Sequence, residues 1–373
     1  MKKVAHLSTV HSAEDVRIFL KECRSLATAG YEVTLIARSN TGYLKDGVKI
    51  IPVSQYNGSR LKRMVLSTLD AFRKARNCRA DLYHFHDPEL MPVGALLRLT
   101  GAKVAYDVHE DTPKQLLSKT WIPSPMRKTA ARALQAVEWL MGRLVFTNIV
   151  AATPPIARRF PPAKTTIVQN YPIAAELAPS ERASPMEQRA PLVVYPGGLA
   201  RVRGVVEMVK AMEHVETPGA RLILAGLFTD EGLEEEVRAL AGWSRVEYRG
   251  FLDRSKIASL LAEVRAGLVP DYDIPNYIDS YPVKMFEYMA AGLPVIASDF
   301  PLWRTIIDTE RCGLLIDQRD PRAIAKAIDW ILNNPQAAED MGRRGREAVE
   351  VKYNWAAEER KLLTMYRNEI ELT

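Results

Sequence analysis

Two carboxylates, Asp279 and Glu287, stand eight residues apart and bracket a loop that runs into a helical segment. That segment ends at Gly292, and an apolar strand follows it. A loop that enters a helix offers unpaired backbone N–H groups and the positive end of the helix dipole, which suit a phosphate group. A carboxylate one to two turns into the helix can accept hydrogen bonds from sugar hydroxyls. The spacing therefore predicts a cradle for a nucleotide sugar.

A glycine-rich turn with two arginines forms a second candidate for phosphate binding. An apolar run ends at Gly197 and Gly198, Arg201 and Arg203 follow, and a helical pattern begins after Gly204. Glycines let the backbone approach a ligand, and guanidinium groups stay ionised while they donate forked hydrogen bonds to phosphate. Solvated arginines after an ordinary glycine turn are the alternative. Two arginines at a strand-to-helix turn favour a diphosphate site.

Four of the six histidines fall at or just beyond the carboxyl ends of predicted strands, where all could face a cleft: His11, His84, His86 and His109. His84 and His86 alternate along one strand and should share a face. Imidazole and carboxylate groups suit zinc or manganese, but two histidines on a strand are a weak metal signal. Hydrogen bonding to a sugar, or a satisfied position at a strand end, explains them as well. We therefore expect no metal at the site.

Asp15 stands in the polar loop that leads from the first strand into a helix. A carboxylate at this position caps the helix and is favoured by its dipole. The same place, at the carboxyl edge of the sheet, would also allow contact with a second substrate. Both interpretations stay open.

Length and composition favour a folded protein of two domains. The 373 residues exceed what one core usually organises, and a hydrophobic content of 47% makes disorder improbable. Cys23, Cys78 and Cys312 are scattered, which indicates packing residues rather than a zinc site or a disulfide framework. No apolar run resembles a signal peptide or a membrane span, so we expect a cytoplasmic protein.

Charge is divided unevenly along the chain. Residues 1–170 hold 26 Lys and Arg against 13 Asp and Glu, whereas the remainder holds 25 against 32. A basic face can serve nucleic acid, anionic lipid or a phosphorylated substrate. Nucleic acid fits less well, because no aromatic and basic single-strand pattern accompanies the charge.

Apolar runs rich in β-branched residues alternate with helical periodicity from the first residue onward, as in a parallel α/β sheet. The alternation pauses in the segment 171–190, rich in Ala, Pro, Ser and charge, and restarts at 191. We therefore predict two Rossmann-like doubly wound domains, 1–170 and 191–353, joined by a linker. Ligands of open sheets bind at the carboxyl ends of the strands, so the two domains should face a central cleft.

The helix predicted over residues 15–29 should turn Ile18, Cys23, Leu26 and Ala29 inward and end at Gly30. A second predicted helix, Leu61 to Arg76, combines apolar residues at helical spacing with basic ones. Such a helix usually packs its apolar face in the core. With the positive charge of this half, it also suits an anionic membrane surface, as does the apolar and basic segment 114–128.

With these motifs, the chain resembles the retaining glycosyltransferases of family 4, which have the two-domain GT-B fold. The resemblance covers nearly the whole chain and is strongest over residues 195–204 and 279–298. Residues 15–37, 107–111 and the Tyr353-Asn354-Trp355 ending support it. In this family the final helix crosses back onto the first domain, so residues 354–373 are expected to complete domain 1–170.

The resemblance implies roles for single residues. Glu287 matches the family's second glutamate, which binds the nucleotide ribose, and Asp279 replaces the first, which shortens the reach towards the donor sugar. Arg203 stands where the family commonly has a lysine. The catalytic residues implied are His109, Arg201, Arg203 and Asp279. The donor-binding residues are Gly197, Gly198, Arg201, Arg203, Phe251, Tyr281, Pro282, Val283, Lys284 and Glu287, and the acceptor-binding residues are His11, Asp15, Arg17 and His86.

The resemblance also implies the reaction and the partners. The donor would be a nucleoside diphosphate sugar, with uridine favoured as the base, and the acceptor a glycan or a lipid-linked glycan. The mechanism usually proposed for retaining members is a front-face mechanism, which needs no covalent nucleophile and no cofactor or metal. Two arginines and a helix end would stabilise the negative charge on the departing diphosphate.

Three other functions are weighed from the residues. A nucleotide-sugar epimerase would need acid and base carboxylates, for example Asp15, Glu110 and Asp111. A metal-dependent hydrolase would use the histidines. A periplasmic sugar-binding protein is disfavoured by the expected absence of a signal peptide. The first strand is also not followed by G-x-G-x-x-G, which disfavours a dehydrogenase.

Overall fold

The computed structural model of the protein describes residues 1–118, 122–177 and 184–371, except for the side chains of Arg60 and Ser118. The chain divides into two compact units: Met1–Asn170 with Trp355–Thr373, and Tyr171–Asn354. Each unit contains one sheet, and helices separate most of its strands along the chain; in the first unit, the three strands within residues 32–52 follow one another without a helix. The prediction of two α/β domains with parallel sheets is confirmed.

The sheet of the first unit has eight strands in the order β3-β4-β2-β1-β5-β6-β7-β8. Only the short pair of β3 and β4 at one edge is antiparallel. In the centre, β1 lies between β2 and β5, and His6 of β1 is in register with His84 of β5. The strands are β1 (Lys3–Ser12), β2 (Glu32–Arg38), β3 (Tyr43–Lys45), β4 (Val48–Pro52), β5 (Leu82–Phe85), β6 (Lys103–Val108), β7 (Asn148–Ala151) and β8 (Thr165–Ile167).

The helices of this unit follow the strands as the alternation predicted. They are a π-helix (Val16–Cys23) that continues into α1 (Arg24–Thr28), then α2 (Arg60–Cys78), α3 (Met91–Leu99), α4 (Thr112–Ser118), α5 (Ser124–Leu144) and α6 (Pro154–Ala157), with 3₁₀ turns at Pro88–Leu90 and Pro162–Lys164.

The first helical segment differs from the regular helix that its periodicity predicted. Ile18, Cys23 and Leu26 are buried as expected, but Ala29 is exposed because α1 ends one residue earlier. The segment before α1 is π-helical, with a wider turn than an α-helix. The polar side chains of Arg17, Lys21 and Glu22 are therefore buried alongside the apolar ones.

The predicted basic helix is confirmed as α2, and it leaves part of its apolar surface exposed. Ala71 and Ala75 are buried, whereas the first half of the helix exposes four large apolar residues: Leu61, Met64, Val65 and Leu69. The second segment considered for lipid contact, 114–128, includes residues 119–121, which lie outside the described part of the chain.

The second unit has six parallel strands in the order β11-β10-β9-β12-β13-β14. The strands are β9 (Leu192–Pro196), β10 (Arg221–Ala225), β11 (Val246–Tyr248), β12 (Ala266–Val269), β13 (Val295–Ser298) and β14 (Gly313–Ile316). The helices are α7 (Ala174–Leu177), α8 (Val205–Ala211), α9 (Leu233–Arg238), α10 (Arg254–Glu263), α11 (Pro275–Ile278), α12 (Val283–Ala290), α13 (Pro301–Glu310), α14 (Pro321–Asn333) and α15 (Pro335–Val351), with 3₁₀ turns at Met186–Gln188, Arg201–Arg203 and Ala241–Arg245.

The segment predicted as a linker contributes to the core of the second unit. Tyr171, Leu177 and Met186 are buried there, and the Tyr171 ring packs 4.7 Å from the ring of Phe286. The last helix, α16 (Trp355–Ile370), belongs to the first unit, where Trp355 Nε1 donates to the Ser25 hydroxyl at 3.0 Å. Within the described residues, no helix combines the length and the apolar character that crossing a bilayer requires.

Candidate functional site

In the second unit, the turn after β9 is shaped by glycines that no other residue could replace without strain. Gly197 has φ +118° and Gly204 has φ +71°, both in the left-handed region. A Cβ on Gly204 would lie 2.3 Å from the carbonyl oxygen of Pro270. The turn therefore packs closely against the residues that follow β12. The backbone N–H of Tyr272 donates to the carbonyl of Val202 at 2.9 Å.

This close approach brings Arg203 to a buried carboxylate. The guanidinium of Arg203 donates to Asp271 Oδ2 at 2.6 Å and lies 4.3 Å from the centre of the Tyr277 ring. Asp271 is 1% exposed, and its Oδ1 has no hydrogen-bond partner. The arginine side chain is 32% exposed, so one side of it still faces solvent.

Arg201, two residues earlier, lies on the outside of the same turn. Its guanidinium pairs with Glu236 of α9, with Nη1 2.9 Å from Oε1, and both side chains are nearly half exposed. The structure therefore separates the two arginines that the sequence analysis grouped together.

Lys284, in the first turn of α12, is the second cation near the glycine turn, instead of Arg201. Its Nζ donates to the Tyr195 hydroxyl at 2.6 Å and lies 3.8 Å from the centre of that ring. Burial lowers the pKa of Lys284 to about 7; Asp271 opposes this shift and Arg203 adds to it. A Cβ on Gly197 would lie 3.6 Å from Nζ, so the glycine turn and the amine are close neighbours.

The loop before α12 is fixed by the core. The indole N–H of the buried Trp303 donates to the carbonyl of Ser280 at 2.7 Å, and the Tyr281 ring lies 6.0 Å from that of Phe286. Pro282 then caps the helix, so Val283 and Lys284 form its first turn. Asp279 lies at the exposed start of this loop.

Glu287 lies one turn further along α12 and contacts Arg254, which also binds Glu176. Arg254 Nη1 lies 3.4 Å from Glu287 Oε1, and Arg254 Nε donates to Glu176 at 2.5 Å. The Glu287 side chain is 18% exposed. Phe251 lies three residues before Arg254, with its ring 73% exposed.

Three residues of this site were not predicted from the sequence: Tyr195, Asp271 and Arg254. Asp271 stands two residues after the end of β12, where an acidic residue at the carboxyl edge of a parallel sheet is a usable signal. Tyr195 lies within an apolar run, and Arg254 is one of many basic residues at a helix start. Neither has a pattern that sets it apart.

In the first unit, His11 and Asp15 form a pair near the carboxyl end of β1. His11 Nδ1 lies 3.5 Å from Asp15 Oδ2, and Nε2 lies 3.5 Å from Asp87 Oδ1. Burial alone would raise the pKa of Asp15, but hydrogen bonds from His11 and from the N–H groups of Ile18 and Arg17 hold it at about 2. The hydrogen bond to Asp15 raises the pKa of His11. Asp15 thus both caps the helix and binds His11.

His109 lies beside this pair, and Asp107 lies beneath it. The rings of His109 and His11 are 5.0 Å apart, and His109 Nδ1 lies 3.7 Å from Asp107 Oδ2 without a hydrogen-bond partner. Arg17 forms a two-point ion pair with Asp107, at 2.9 and 2.8 Å, and His86 Nδ1 lies 2.9 Å from the same carboxylate.

This arrangement corrects the expected exposure of the first unit's residues. Arg17 is 4% and His86 1% exposed, and His84 is fully buried, so these three side chains face the interior. Only His11 and His109, of the four histidines expected at a cleft, are partly exposed. Two groups among the described residues bring possible metal ligands together: His6, Glu22, His84 and His86, and His86, Asp107 and His109.

The fold and the site define a class of protein, and comparisons with known families agree with it. Two parallel α/β units, one with cations and a glycine turn beside a helix start, are the architecture of nucleotide-dependent glycosyltransferases. The model of the family "Glycosyl transferase 4-like domain" matches residues 16–170, and that of "Glycosyl transferases group 1" matches residues 179–348. The chain belongs to the family-4 kind of GT-B glycosyltransferases, as the resemblance in its sequence indicated.

Similar sequences and structures carry transferase names. A glycogen synthase of Mycobacterium tuberculosis is 23% identical, over 89% of this chain and 85% of its own. A phosphatidyl-myo-inositol mannosyltransferase of Mycolicibacterium smegmatis is 24% identical over 91% and 86%. A sucrose-phosphate synthase from Thermosynechococcus elongatus superposes with a TM-score of 0.80 at 20% identity over both whole chains. Anabaena HepE, solved with UDP and glucose, gives 0.75 at 12% identity over 99% of this chain and 100% of its own.

Proposed function

We propose that the protein is a retaining hexosyltransferase that uses a nucleoside diphosphate sugar, with uridine favoured over guanosine as the base. The acceptor would be a glycan or a lipid-linked glycan, in bacterial polysaccharide or glycoconjugate synthesis. One observation carries this proposal: two cations flank the glycine turn, with Arg203 paired to the buried Asp271 at 2.6 Å and the Lys284 amine 3.6 Å from where a Cβ on Gly197 would lie. Two cations around a glycine turn and a helix start suit a diphosphate.

The diphosphate would bind between Arg203, Lys284 and the backbone N–H groups at the start of α12. Gly197 and Gly198 let the phosphates approach the backbone, because both are exposed and neither carries a side chain. A bound diphosphate would add negative charge beside Lys284, which favours the protonated amine, and would compete with Tyr195 for its hydrogen bond. Arg201 would join this group only after leaving Glu236, so we assign it to the outer edge of the diphosphate.

The nucleoside would lie one turn further along α12, beside Glu287. Glu287 would accept hydrogen bonds from the ribose hydroxyls, and Arg254 would hold the carboxylate in place. The exposed ring of Phe251 offers a surface on which a base can stack. Tyr281 and Trp303 would act indirectly, since they fix the loop that carries Pro282 and Val283.

In the proposed reaction, the bond between the anomeric carbon and the diphosphate breaks while the acceptor oxygen bonds to that carbon from the same face. The acceptor's proton passes to the leaving phosphate oxygen, so no covalent intermediate is needed. Negative charge develops on the diphosphate, where Arg203 and Lys284 stabilise it. These two cations take the place of a divalent metal, and we propose that the transfer is metal-independent.

Asp279 and His109 are proposed to contact the transferred sugar, and His11 and Asp15 the acceptor. The paired His11 and Asp15 present a donor and an acceptor of hydrogen bonds side by side, as a sugar hydroxyl pair requires. Arg17 and His86 are too deeply buried for such contact, and we assign them to holding Asp107, and through it His109, in position.

A location in the cytoplasm, at the inner face of the membrane, follows from the proposed acceptor and from α2. The exposed apolar residues of α2 lie next to the exposed cations Lys62 and Arg63. An amphipathic helix with this composition suits anionic lipid headgroups.

Calorimetric titration with UDP, GDP and their sugars tests the donor site. We expect binding of a uridine nucleotide that Glu287→Ala abolishes, while Glu350→Gln, a change at an exposed carboxylate of α15, leaves the affinity unaltered. Equal affinity of the wild type and Glu287→Ala would overturn the proposal.

Incubation of the bound sugar nucleotide without any acceptor tests for epimerisation instead. Asp111, one carboxylate which that alternative needs, is held by Arg159 at 2.9 Å.

A further inference from the structure

Three histidines meet in the interior of the first unit, on the sheet face covered by the π-helix and α16. His6 of β1 and His84 of β5 are in register, and His86 is two residues further along. The three rings have centres 4.7, 5.2 and 4.9 Å apart. All three side chains are at most 1% exposed, so these imidazoles are enclosed by protein.

The π-helix adds a carboxylate to this group. Glu22 is fully buried, and its Oε2 lies 3.9 Å from both His6 Nδ1 and His84 Nδ1. Arg17 Nε lies 3.1 Å from Oε1, yet neither oxygen receives a hydrogen bond. Buried polar atoms without partners are uncommon and call for a water or an ion. Wide π-turns are frequent at functional sites.

The surrounding hydrogen bonds leave unprotonated nitrogens inside the cluster. Asp107 accepts from His86 Nδ1 at 2.9 Å, so His86 Nε2 keeps its lone pair. The Tyr366 hydroxyl lies 3.0 Å from His6 Nε2 and 2.8 Å from His84 Nδ1. In the metal-free protein His6 Nδ1 donates to His86 Nε2 at 2.9 Å, so a metal ion bound by both nitrogens would replace this proton. None of the residues that the structure describes forms a hydrogen bond with His84 Nε2.

We propose that His6, Glu22, His84 and His86 bind one Zn²⁺ that stabilises the first unit. Zinc prefers three imidazoles and a carboxylate of this kind, and tetrahedral bonds of its usual length separate ligand atoms by about 3.3 Å. His6 Nδ1 lies 2.9 Å from His86 Nε2 and 3.9 Å from Glu22 Oε2, which brackets that value. One ligand atom from each residue lies within 4.8 Å of the others.

The neighbouring residues support a structural rather than a catalytic ion. Asp107 orients His86 as a carboxylate behind a zinc ligand usually does, and Tyr366 orients the other two imidazoles. The second group of possible ligands, His86, Asp107 and His109, is less suitable, because both oxygens of Asp107 already bind Arg17. The site is closed to solvent and leaves no open position for a substrate.

Elemental analysis of the untagged full chain, dialysed without chelator, tests the proposal. We expect stoichiometric zinc in the wild type and in His214→Gln, which changes an exposed histidine of the second unit. Glu22→Gln, close to isosteric, should lose most of the metal while circular dichroism shows a folded chain. His109→Gln should retain it.

Cobalt provides a second measurement that needs no variant. Wild-type protein stripped with a chelator and given Co²⁺ should show the visible absorption of a four-coordinate ion and a higher Tm. If the wild type contains no zinc and does not give this spectrum, the proposed zinc site is wrong and these groups hold water only. Zinc retained by Glu22→Gln, or lost from His109→Gln, would equally overturn it.

Discussion

The amine of Lys284 and the phenol of Tyr195 form a single unit, with Nζ 2.6 Å from the hydroxyl oxygen and 3.8 Å from the ring centre. Tyr195 lies in β9 and Lys284 in α12, 89 residues later. The contact links the two segments that the sequence marked separately as phosphate sites. It also places a titratable amine where a diphosphate is proposed to bind.

Donor affinity should therefore depend on pH through Lys284. Its pKa near 7 means that the amine of the free protein is charged below pH 7 and neutral above it. A diphosphate binds the charged form, so above pH 7 binding must take up a proton and the affinity should fall by at most about tenfold per pH unit.

Calorimetry between pH 7 and 9 measures this dependence. Lys284→Arg is the matched control, because a guanidinium stays ionised throughout and its profile should be flat. A flat profile in the wild type would contradict the assignment.

Arg203→Ala should destabilise the second unit as well as weaken donor binding. It leaves the buried Asp271 without its ion pair, a loss of about 3 kcal/mol in the free energy of unfolding, at the low end of the usual range because Arg203 is one-third exposed. Urea denaturation checks this value. Asp271→Asn in the same chain should recover much of the loss, since it removes the unpaired charge.

Arg201→Ala provides the comparison for Arg203. The Arg201 pair with Glu236 is exposed, so the free energy of unfolding should hardly change. Equal destabilisation by the two alanine variants would show that the buried pair is not what sets Arg203 apart.

Asp15→Asn should reduce stability in a pH-dependent manner. A carboxylate whose pKa falls from 3.8 to about 2 on folding adds stability that is present above pH 4 and lost as the pH falls towards 2. That contribution is on the order of 2 kcal/mol. Denaturation of wild type and variant at several pH values should show a difference near pH 7 that shrinks below pH 4. A constant difference would mean that capping alone is lost.

Binding to anionic vesicles should depend on the exposed cations of α2. Lys62→Gln with Arg63→Gln should weaken flotation with phosphatidylserine vesicles by about 2 kcal/mol, on the order of 30-fold. Arg343→Gln with Arg346→Gln removes two exposed cations from α15 of the second unit and is the control. Equal binding of the α2 variant and the wild type would contradict the membrane contact.

The α/β alternation could be predicted from sequence because hydrophobic periodicity is a local property. The same holds for α2, with its apolar residues at helical spacing, and for Gly197 and Gly204 as turn residues. Single-residue burial was less predictable: Arg17 and His86 looked like surface groups, and Ala29 like a core residue. The burial of Arg17 depends on the π-helix, whose wider turn no periodicity indicated, and that of His86 on the neighbouring segments of the fold that cover it.

The two sheets, the glycine turn and the helix start between Asp279 and Glu287 could be read from the amino-acid sequence, since each depends on neighbours along the chain. The three-dimensional packing was needed to identify the cations that we propose for the diphosphate. β9 pairs with β12, and Arg203, which follows β9, contacts Asp271, which follows β12. Arg201 pairs with Glu236 instead. Lys284 lies close to Gly197 in the same turn. The histidine cluster likewise depends on the register of β1 with β5. Such contacts join residues far apart in the chain, and strand order rather than spacing brings them together.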